Sequence, residues 1–388
     1  MARFFYPLLI KEHPLMIQNA SRLLVAKGAL LWALLVSPIA AFADVEEARV
    51  AKATVAMPQL LAPFDSELDK ITKGISAAEL EQVAIAGWQA GKQVAQSQGD
   101  DRGLYWFRLA AKQRIRQLPL TEAEKAPMLQ RFEHLSRGIE QVDFTNADKR
   151  ILLTGFDPFF LDRNIKQSNP SGLAALQLDG AEWQTATGKV RIETVLIPVR
   201  FVDFDQGMIE QLVQPYLQDN SIDMLVTVSM GRDHFDLERF PGKRRSSVAP
   251  DNLNVYTGAN DSQPLIPPLH HGPLLGPEFV EFSLPVKVMQ QAAGDFQIND
   301  NREVETLIGT FAAISLEQLR EHIAVQGGGG GYLSNEISYR TIRMRDMFNA
   351  DMPVGHIHTP RVSGYDKTKE QAIVEQITEM LRHAAVEL

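Results

Sequence analysis

Between residues 45 and about 147, apolar side chains recur at the spacing of an α-helix. The clearest run repeats at intervals of three and four and comprises Leu80, Val83, Ala84 and Trp88. Ser76 with Glu79, and Thr121 with Glu124, have the spacing of capping boxes at the starts of two helices. We therefore predict an all-helical N-terminal region over residues 44–147, packed on the following region or tethered to it.

From Lys149 onward, short apolar runs alternate with helical patterns. The predicted strands cover residues 151–154, 190–199, 222–229, 332–333 and 354–358. The predicted helices cover residues 170–178, 204–216, 284–293, 316–325, 335–348 and 368–386. Strand–helix alternation of this kind places helices on both faces of a sheet. Residues 148–388 are therefore predicted to form an α/β domain, a three-layer α/β/α sandwich with a twisted central sheet.

Two segments of the α/β region interrupt the alternation. Residues 264–277 contain five prolines and predict a surface loop, because proline cannot join the interior of a sheet. Residues 327–331 are five consecutive glycines without the Gly-Lys-Ser/Thr ending of a phosphate-binding loop. We interpret the glycine run as a flexible segment whose backbone must come close to another group.

The chain is acidic, with a formal net charge of −9 at pH 7 and a pI of about 5.6. This charge argues against nucleic acid or an anionic membrane surface as a partner. The tight basic run KRR at residues 243–245 is interpreted as a solvated loop. The sequence has no cysteine, which excludes disulfides, a thiol nucleophile and a thiolate metal site.

The N-terminus has the pattern of an export signal. Basic residues precede an uncharged, mostly apolar run over residues 28–43, which ends in the small-x-small sequence AFA. This run is shorter than the roughly 20 apolar residues of a transmembrane helix. We predict a signal peptide over residues 1–43, cleavage after Ala43, and a periplasmic or secreted protein without stable membrane insertion. An uncleaved anchor is the alternative, and Met16 is an alternative start to Met1.

Several motifs between residues 149 and 388 resemble those of the pyroglutamyl peptidase I family, the pyrrolidone-carboxylate peptidases. They are ILLTGFDPF at 151–159, NPS at 169–171, DLER at 236–239, LPVK at 284–287, GYLSN at 331–335 and GHIHTP at 355–360. The resemblance implies the α/β/α fold and hydrolysis of the amide bond that follows an N-terminal pyroglutamate. It implies no cofactor.

Carried over position by position, the resemblance implies a catalytic set of Glu238, Ser334 and His358. Family members have a cysteine nucleophile where this chain has Ser334. Such a site needs a base that takes the proton of the nucleophile and a carboxylate that orients the base. The residues implied to bind the substrate are Phe156, Phe159 and Leu333. An aromatic pair of this kind suits the flat lactam ring of pyroglutamate.

The chain also departs from the family pattern. Phe160 and Leu161 replace a glycine pair, which would crowd the mouth of the pocket, and an insertion that includes the glycine run precedes Ser334. The serine is the largest departure. A cysteine is partly thiolate near neutral pH, whereas a serine hydroxyl is barely ionised. His358 must therefore act as a true general base during the attack.

The same residues also have structural interpretations. Ser334 can be the N-cap of a helix, because serine is among the favoured caps. Glu238 can form a surface ion pair with the following arginine, and the two phenylalanines can be core residues. His356 and His358 lie on one face of a strand and could ligate a metal. No third ligand stands at a recognisable spacing, so we predict no metal site.

Two functions are open at this point. One is an exported hydrolase that acts on peptides with an N-terminal pyroglutamate. The other is a non-catalytic pseudoenzyme that binds peptide ends or cell-envelope components through the same pocket. Serine avoids the oxidation of a low-pKa cysteine in an oxidising compartment, which suits either function. The resemblance also leaves an oligomer open.

Overall fold

The structure, a computed structural model, describes residues 45–388, and the predicted export signal lies outside them. The N-terminal helices are α1 (Val50–Ala56), α2 (Asp65–Lys70), α3 (Ala77–Gln98), α4 (Arg102–Arg116) and α5 (Glu122–Leu135), with a 3₁₀ turn at Ala62–Phe64. Ser76 and Thr121 form the two capping boxes that the sequence predicts. Within residues 45–388, the helices are all too short or too polar to cross a membrane.

The α/β region follows from Lys149 to the end of the chain. Its strands are β1 (Lys149–Phe156), β2 (Glu182–Thr185), β3 (Gly188–Ile197), β4 (Met224–Met230), β5 (Phe235–Glu238), β6 (Pro268–Leu269), β7 (Gly272–Pro273), β8 (Ile298–Asn301), β9 (Glu303–Thr306), β10 (Gly309–Ala312), β11 (Ala324–Gln326) and β12 (Val354–Thr359). Its helices are α6 (Pro170–Leu178), α7 (Phe201–Asp205), α8 (Met208–Gln218), α9 (Val286–Met289), α10 (Leu333–Phe348) and α11 (Lys367–Ala385), with a 3₁₀ turn at Glu317–Leu319.

Seven strands form the central sheet in the order β2-β3-β1-β4-β12-β5-β8. The four inner strands β3, β1, β4 and β12 are parallel, whereas β2 and β5 run antiparallel to their inner neighbours. Helix α6 packs on β1 and against α11, while α10 packs on β12 and against α8. The predicted α/β/α sandwich, preceded by helices, is confirmed.

The helical region and the α/β region share one hydrophobic core. The buried cluster that contains Trp88 and Phe107 of the helices continues into Leu173 of α6 and Leu153 of β1. Helix α3 packs directly on α6. The helical region is therefore a further layer on the sandwich, packed on it rather than tethered to it.

Four of the predicted elements differ from the structure. The predicted helix over residues 204–216 is two helices, α7 and α8, separated at Gln206 and Gly207. Residues 316–325 contain a 3₁₀ turn and β11 instead of a helix, and β11 joins the three-stranded sheet β10-β9-β11. Residues 332–333 do not form a strand, since Tyr332 is the N-cap of α10 and Leu333 its first residue. Residues 284–293 contain only the short helix α9. Short apolar runs fit strand and helix patterns equally well, so tertiary contacts decide between them.

Two buried carboxyl groups lie where the helical region meets the last helix. Asp101, just before α4, is 3% exposed, and Glu370, in α11, is 0% exposed. Asp101 Oδ2 accepts a hydrogen bond from the Asn169 amide at 3.0 Å, and Glu370 Oε1 accepts one from Ser168 Oγ at 2.6 Å. Among the described residues, Asp101 Oδ1 and Glu370 Oε2 have no hydrogen-bond partner. Burial and then the charge of Glu370 raise the pKa of Asp101, and burial raises the pKa of Glu370 to about 7.

From this carboxyl pair we predict that the free energy of unfolding falls as the pH rises. The pKa of Glu370 in the folded protein, about 7, lies above its ordinary value of 4.5. Its stabilising contribution is therefore present below pH 4.5 and lost as the pH rises through about 7. Because glutamine stays neutral, we expect Glu370→Gln to match the wild type at pH 4 and to exceed its free energy of unfolding by roughly 3 kcal/mol at pH 8.

Urea unfolding from pH 4 to pH 8 measures this difference. Glu379→Gln is the matched control, because Glu379 is an exposed carboxylate on the same helix. Its difference from the wild type is expected not to change with pH. Parallel pH profiles for Glu370→Gln and the wild type would contradict the prediction.

Candidate active site

A short hydrogen bond joins two of the predicted site residues across neighbouring strands. His358 Nδ1 lies 2.5 Å from Glu238 Oε1, where β12 runs antiparallel to β5. Glu238 is 0% exposed and His358 is 6% exposed. A carboxylate only accepts hydrogen bonds, so Nδ1 is the donor in this bond; in the neutral imidazole, Nε2 then carries the lone pair. The alternative of Glu238 as a surface ion pair is wrong.

The second oxygen of Glu238 is also bonded. Asn301 Nδ2 donates to Glu238 Oε2 at 2.7 Å and to the Gly328 carbonyl at 3.1 Å. A Cβ atom at Gly328 would lie 2.5 Å from Glu238 Oε2, a distance that only glycine avoids. The sequence predicts that the backbone of the glycine run comes close to another group, and this is confirmed at Gly328, which lies against Glu238. Its neighbour Gly330 has φ +84, a left-handed conformation that favours glycine.

The neighbouring His356 has a different role from His358. It is 0% exposed, and its Nδ1 and Nε2 each lie 2.7 Å from a hydroxyl, those of Thr227 and Ser229. Both ring nitrogens are thus engaged and neither is free to ligate a metal. Burial, and then the nearby His358, holds the pKa of His356 well below its usual value. A neutral ring 4.8 Å from His358 does not repel a positive charge on His358.

Ser334 lies in the first turn of α10 and is half-buried. Tyr332 is the N-cap of this helix and makes no side-chain cap hydrogen bond, so the interpretation of Ser334 as the cap is wrong. Among the described residues, the Ser334 hydroxyl donates to the Gly329 carbonyl at 3.1 Å and not to His358. The amides of an uncapped first turn can bind an anion.

Buried charges fix the start of α10. Arg245 is 3% exposed and bonds both oxygens of Glu336, at 2.6 and 2.8 Å, and Asp205 at 2.7 Å. The Gly242 amide donates to Asn335 Oδ1 at 2.9 Å, and Asn335 Nδ2 donates to the Gly242 carbonyl at 2.7 Å. The interpretation of residues 243–245 as a solvated loop is therefore wrong for its last arginine. These contacts hold the helix turn that carries Ser334, but Ser334 itself is not part of the ion-pair network.

A small apolar cavity lies beside Ser334. Phe156, Phe159 and Leu333 line it, and its volume is about 30 Å³, space for about two water molecules. Phe156 is 3% exposed and its ring packs parallel to that of Phe204, so it belongs to the core as well as to the cavity wall. Phe159 is half-buried. The structure thus brings the predicted substrate-binding residues together next to the candidate nucleophile.

A larger cleft of about 470 Å³ shares Phe159 and Ser334 with this cavity, and His358 also lines it. This volume lies in the range of small-ligand sites. Phe160 also lines the cleft, and its ring contacts that of Phe159, with 4.6 Å between the ring centroids. Leu161 is 1% exposed and lies in the core. Of the two residues predicted to crowd the mouth of the pocket, only Phe160 is placed to do so.

The sequence did not reveal the residues that hold Asp157, between the two pocket phenylalanines. Arg108 and Arg137 of the helical region reach its two oxygens at 3.0 and 2.8 Å, and all three side chains are at most 2% exposed. Asn301 was missed as well. The signal that could have found the arginines is their charge on otherwise apolar helix faces, since arginine is almost never fully buried unless paired.

Comparison with known proteins finds relatives of this chain. The family model described as PA0049, C-terminal domain, matches residues 150–278 and 292–363. The chain is 29% identical to a Pseudomonas aeruginosa protein described as uncharacterized protein PA0049, in a match that covers 69% of this chain and 64% of that protein. The match thus spans less than two thirds of the length of that relative.

Two pyrrolidone-carboxylate peptidases also match. The chain is 26% identical to the Bacillus licheniformis protein of that name, with 61% of this chain and 91% of that protein covered. A solved structure of a mutant pyrrolidone carboxyl peptidase from Pyrococcus furiosus is 17% identical, with a TM-score of 0.43, and covers 62% of this chain and 99% of that one.

Proposed function

We propose that this chain, which belongs to the family described as PA0049, C-terminal domain, is a serine hydrolase that removes N-terminal pyroglutamate from peptides. The observation that carries the proposal is the 2.5 Å hydrogen bond between His358 Nδ1 and Glu238 Oε1 in a cleft that Ser334 also lines. These are the nucleophile, base and orienting carboxylate that amide hydrolysis needs. The sequence match to a pyrrolidone-carboxylate peptidase supports the same reaction.

In the proposed reaction, Ser334 Oγ adds to the carbonyl carbon of the pyroglutamyl group while its proton passes to His358 Nε2. His358 then gives this proton to the departing amine as the C–N bond breaks. Water then adds to the acyl carbon and gives a proton to His358, which passes it to Ser334 Oγ as the ester C–O bond breaks and pyroglutamate leaves. Glu238 holds the imidazole in orientation and stabilises its charged form. The amides in the first turn of α10 stabilise the developing oxyanion.

A non-catalytic binding protein is the second candidate, and two observations favour it. The Ser334 hydroxyl donates to Gly329 rather than to His358, so it must rotate before it can react. The cavity beside it, about 30 Å³, holds about two water molecules and is too small for a lactam ring until Phe159 moves. Hydrogen bonds in catalytic sites often tighten only when the substrate binds, so this geometry is also compatible with a hydrolase. Both functions are testable on the same protein.

Hydrolysis of a pyroglutamyl arylamide by the purified protein tests the proposal. We expect Ser334→Ala to lower kcat by about 10³-fold or more, because it removes the proposed nucleophile. Ser363→Ala is the matched control, since Ser363 is an exposed serine that lines the same cleft. It is expected to keep wild-type activity.

The Ser334→Cys variant separates the two candidate functions. Activity in the wild type that is lost in Ser334→Ala supports the hydrolase. Activity that arises only in Ser334→Cys means that the pocket accepts pyroglutamate but the natural protein is not this peptidase. No turnover in any variant, together with no binding of free pyroglutamate by calorimetry, removes the substrate assignment.

Export is part of the proposal. Residues 28–43 and the AFA sequence at their end support it. N-terminal sequencing of the protein recovered from the periplasm or the medium tests it, with Asp44 as the expected first residue. Recovery of an uncleaved chain in the membrane fraction would support the anchor alternative instead.

A further inference from the structure

Three arginines line the outer part of the cleft that contains Ser334 and His358. They are Arg163, Arg232 and Arg361, and all are exposed. Each belongs to a loop that follows one of the inner strands β1, β4 and β12. The carboxyl ends of parallel strands lie at one edge of a sheet, so the three loops converge over the candidate active site.

Backbone contacts hold two of these arginines side by side. The Arg361 amide donates to the Arg232 carbonyl at 2.6 Å, and Arg361 Nε donates to the Gly231 carbonyl at 3.2 Å. Gly231 is in turn bonded to the end of β12 through Thr359. These bonds tie the backbones of Arg232 and Arg361 to β12, the strand in which His358 precedes Thr359.

The charges of these arginines are largely unneutralised within the described chain. Arg232 has one long ion pair, 3.6 Å from Nε to Asp236 Oδ2, with 59% of its side chain exposed. Arg163 lies over the Phe160 ring at 4.6 Å, and Arg361 bonds a carbonyl. These contacts orient the guanidinium groups but leave most of their N–H donors available to a ligand.

No carboxylate competes for these donors inside the cleft. Among the described residues that line it, none is an aspartate or a glutamate. Glu238 lies behind His358 and is fully buried. In a chain with a net charge of −9, this wall is a local positive region. Guanidinium groups bind carboxylates in paired hydrogen bonds, so such a wall selects carboxylate-bearing ligands.

We propose that Arg163, Arg232 and Arg361 make the site selective for pyroglutamyl peptides with a carboxylate just beyond the bond that is cut. This inference rests on the proposed function and names its substrate class. With the lactam ring between Phe156 and Phe159, the rest of the peptide extends into the outer cleft, where the arginines lie. The carboxylate comes either from an acidic side chain after pyroglutamate or from the free C-terminus of a dipeptide.

Matched peptide pairs test the selectivity and identify the source of the carboxylate. The first pair is pyroglutamyl-glutamate amide and pyroglutamyl-glutamine amide, which differ by one charge at constant shape. The second is pyroglutamyl-alanine with a free or an amidated C-terminus. We expect kcat/KM to be about 5- to 10-fold higher for the charged member of at least one pair at low salt, and the ratio to shrink in high salt.

The double variant Arg232→Gln/Arg361→Gln is expected to bring this ratio close to one and to leave hydrolysis of a neutral pyroglutamyl arylamide unchanged. Unchanged arylamide hydrolysis also shows that the site has kept its fold. Arg320→Gln, at an exposed arginine outside the cleft lining, is the control for net charge and is expected to keep the ratio. A ratio near one in the wild type, or one that the double variant preserves, overturns the inference.

Calorimetry with Ser334→Ala separates failure of this inference from failure of the proposed function. Carboxylate selection is supported, even without turnover, if pyroglutamyl-glutamate amide binds at least about 5-fold more tightly than the glutamine amide. Adding Arg232→Gln/Arg361→Gln to Ser334→Ala must then weaken the binding of the glutamate amide. Equal binding of the two peptides overturns carboxylate selection, whereas arylamide hydrolysis alone decides whether the protein is a peptidase.

Discussion

Replacing Glu238 by glutamine is expected to lower kcat for a pyroglutamyl arylamide by about 10³- to 10⁴-fold. The amide of glutamine can donate to Nδ1 of His358, which would move the ring proton to Nε2. His358 could then no longer accept the proton of Ser334. Because the side chain keeps its shape and can still accept from Asn301, KM and the unfolding midpoint in urea are expected to change little. Steady-state kinetics and urea unfolding measure both effects.

Asp236→Asn is the matched control for this substitution. Asp236 lies two residues earlier on β5, is 8% exposed, and accepts from Asn299 of β8 at 2.9 Å, as Glu238 accepts from Asn301. Among the described residues, its carboxylate contacts Asn299 and Arg232 rather than the ring of His358, so Asp236→Asn is expected to keep wild-type activity on the neutral arylamide. A loss of less than about 10-fold in Glu238→Gln with an intact fold would mean that this carboxylate does not orient the base.

Local signals explain why much of the fold could be predicted. The sequence predicts helix α6 with the bounds that the structure shows, because Asn169 caps it and Pro170 occupies its first turn. The capping boxes at Ser76 and Thr121 are equally local. Strand β5 is four residues long and was missed, since such a short run carries little pattern. Its antiparallel place beside β12 depends on contacts far apart in sequence.

The site shows the same division between local and distant information. Ser334 and His358 lie in short motifs, so a resemblance was enough to name them. Asn301, which bonds Glu238 from 63 positions away, lies in the polar sequence INDN, which does not look like a strand. The hydrogen-bond partner of the Ser334 hydroxyl depends on the rotation of this side chain. The glycine run, which lies against the start of α10, supplies that partner, the Gly329 carbonyl.

Replacing Asp157 by asparagine is expected to lower the free energy of unfolding by about 3–5 kcal/mol, because it removes the carboxylate partner of buried Arg108 and leaves buried Arg137 with Glu133 alone. The Arg108 and Arg137 side chains are 1% and 2% exposed, so water does not solvate the guanidinium groups in place of the lost carboxylate. Since both belong to the helical region, the effect also measures how strongly that region is attached to the end of β1, which carries Phe156, and to the following loop, which carries Phe159. Urea unfolding gives the free energy, and arylamide kinetics give the accompanying rise in KM.

Asp223→Asn provides the comparison for Asp157→Asn, since Asp223 pairs with Arg150 at 2.9 Å with both side chains nearly 30% exposed. Solvent screens such a pair, and its loss is expected to cost about 1 kcal/mol or less. Equal effects of the two substitutions would show that water reaches Asp157. A large loss of stability without a rise in KM would show that the helical region supports the fold but does not position the pocket. Both effects together would mean that the N-terminal helices shape the cavity beside Ser334.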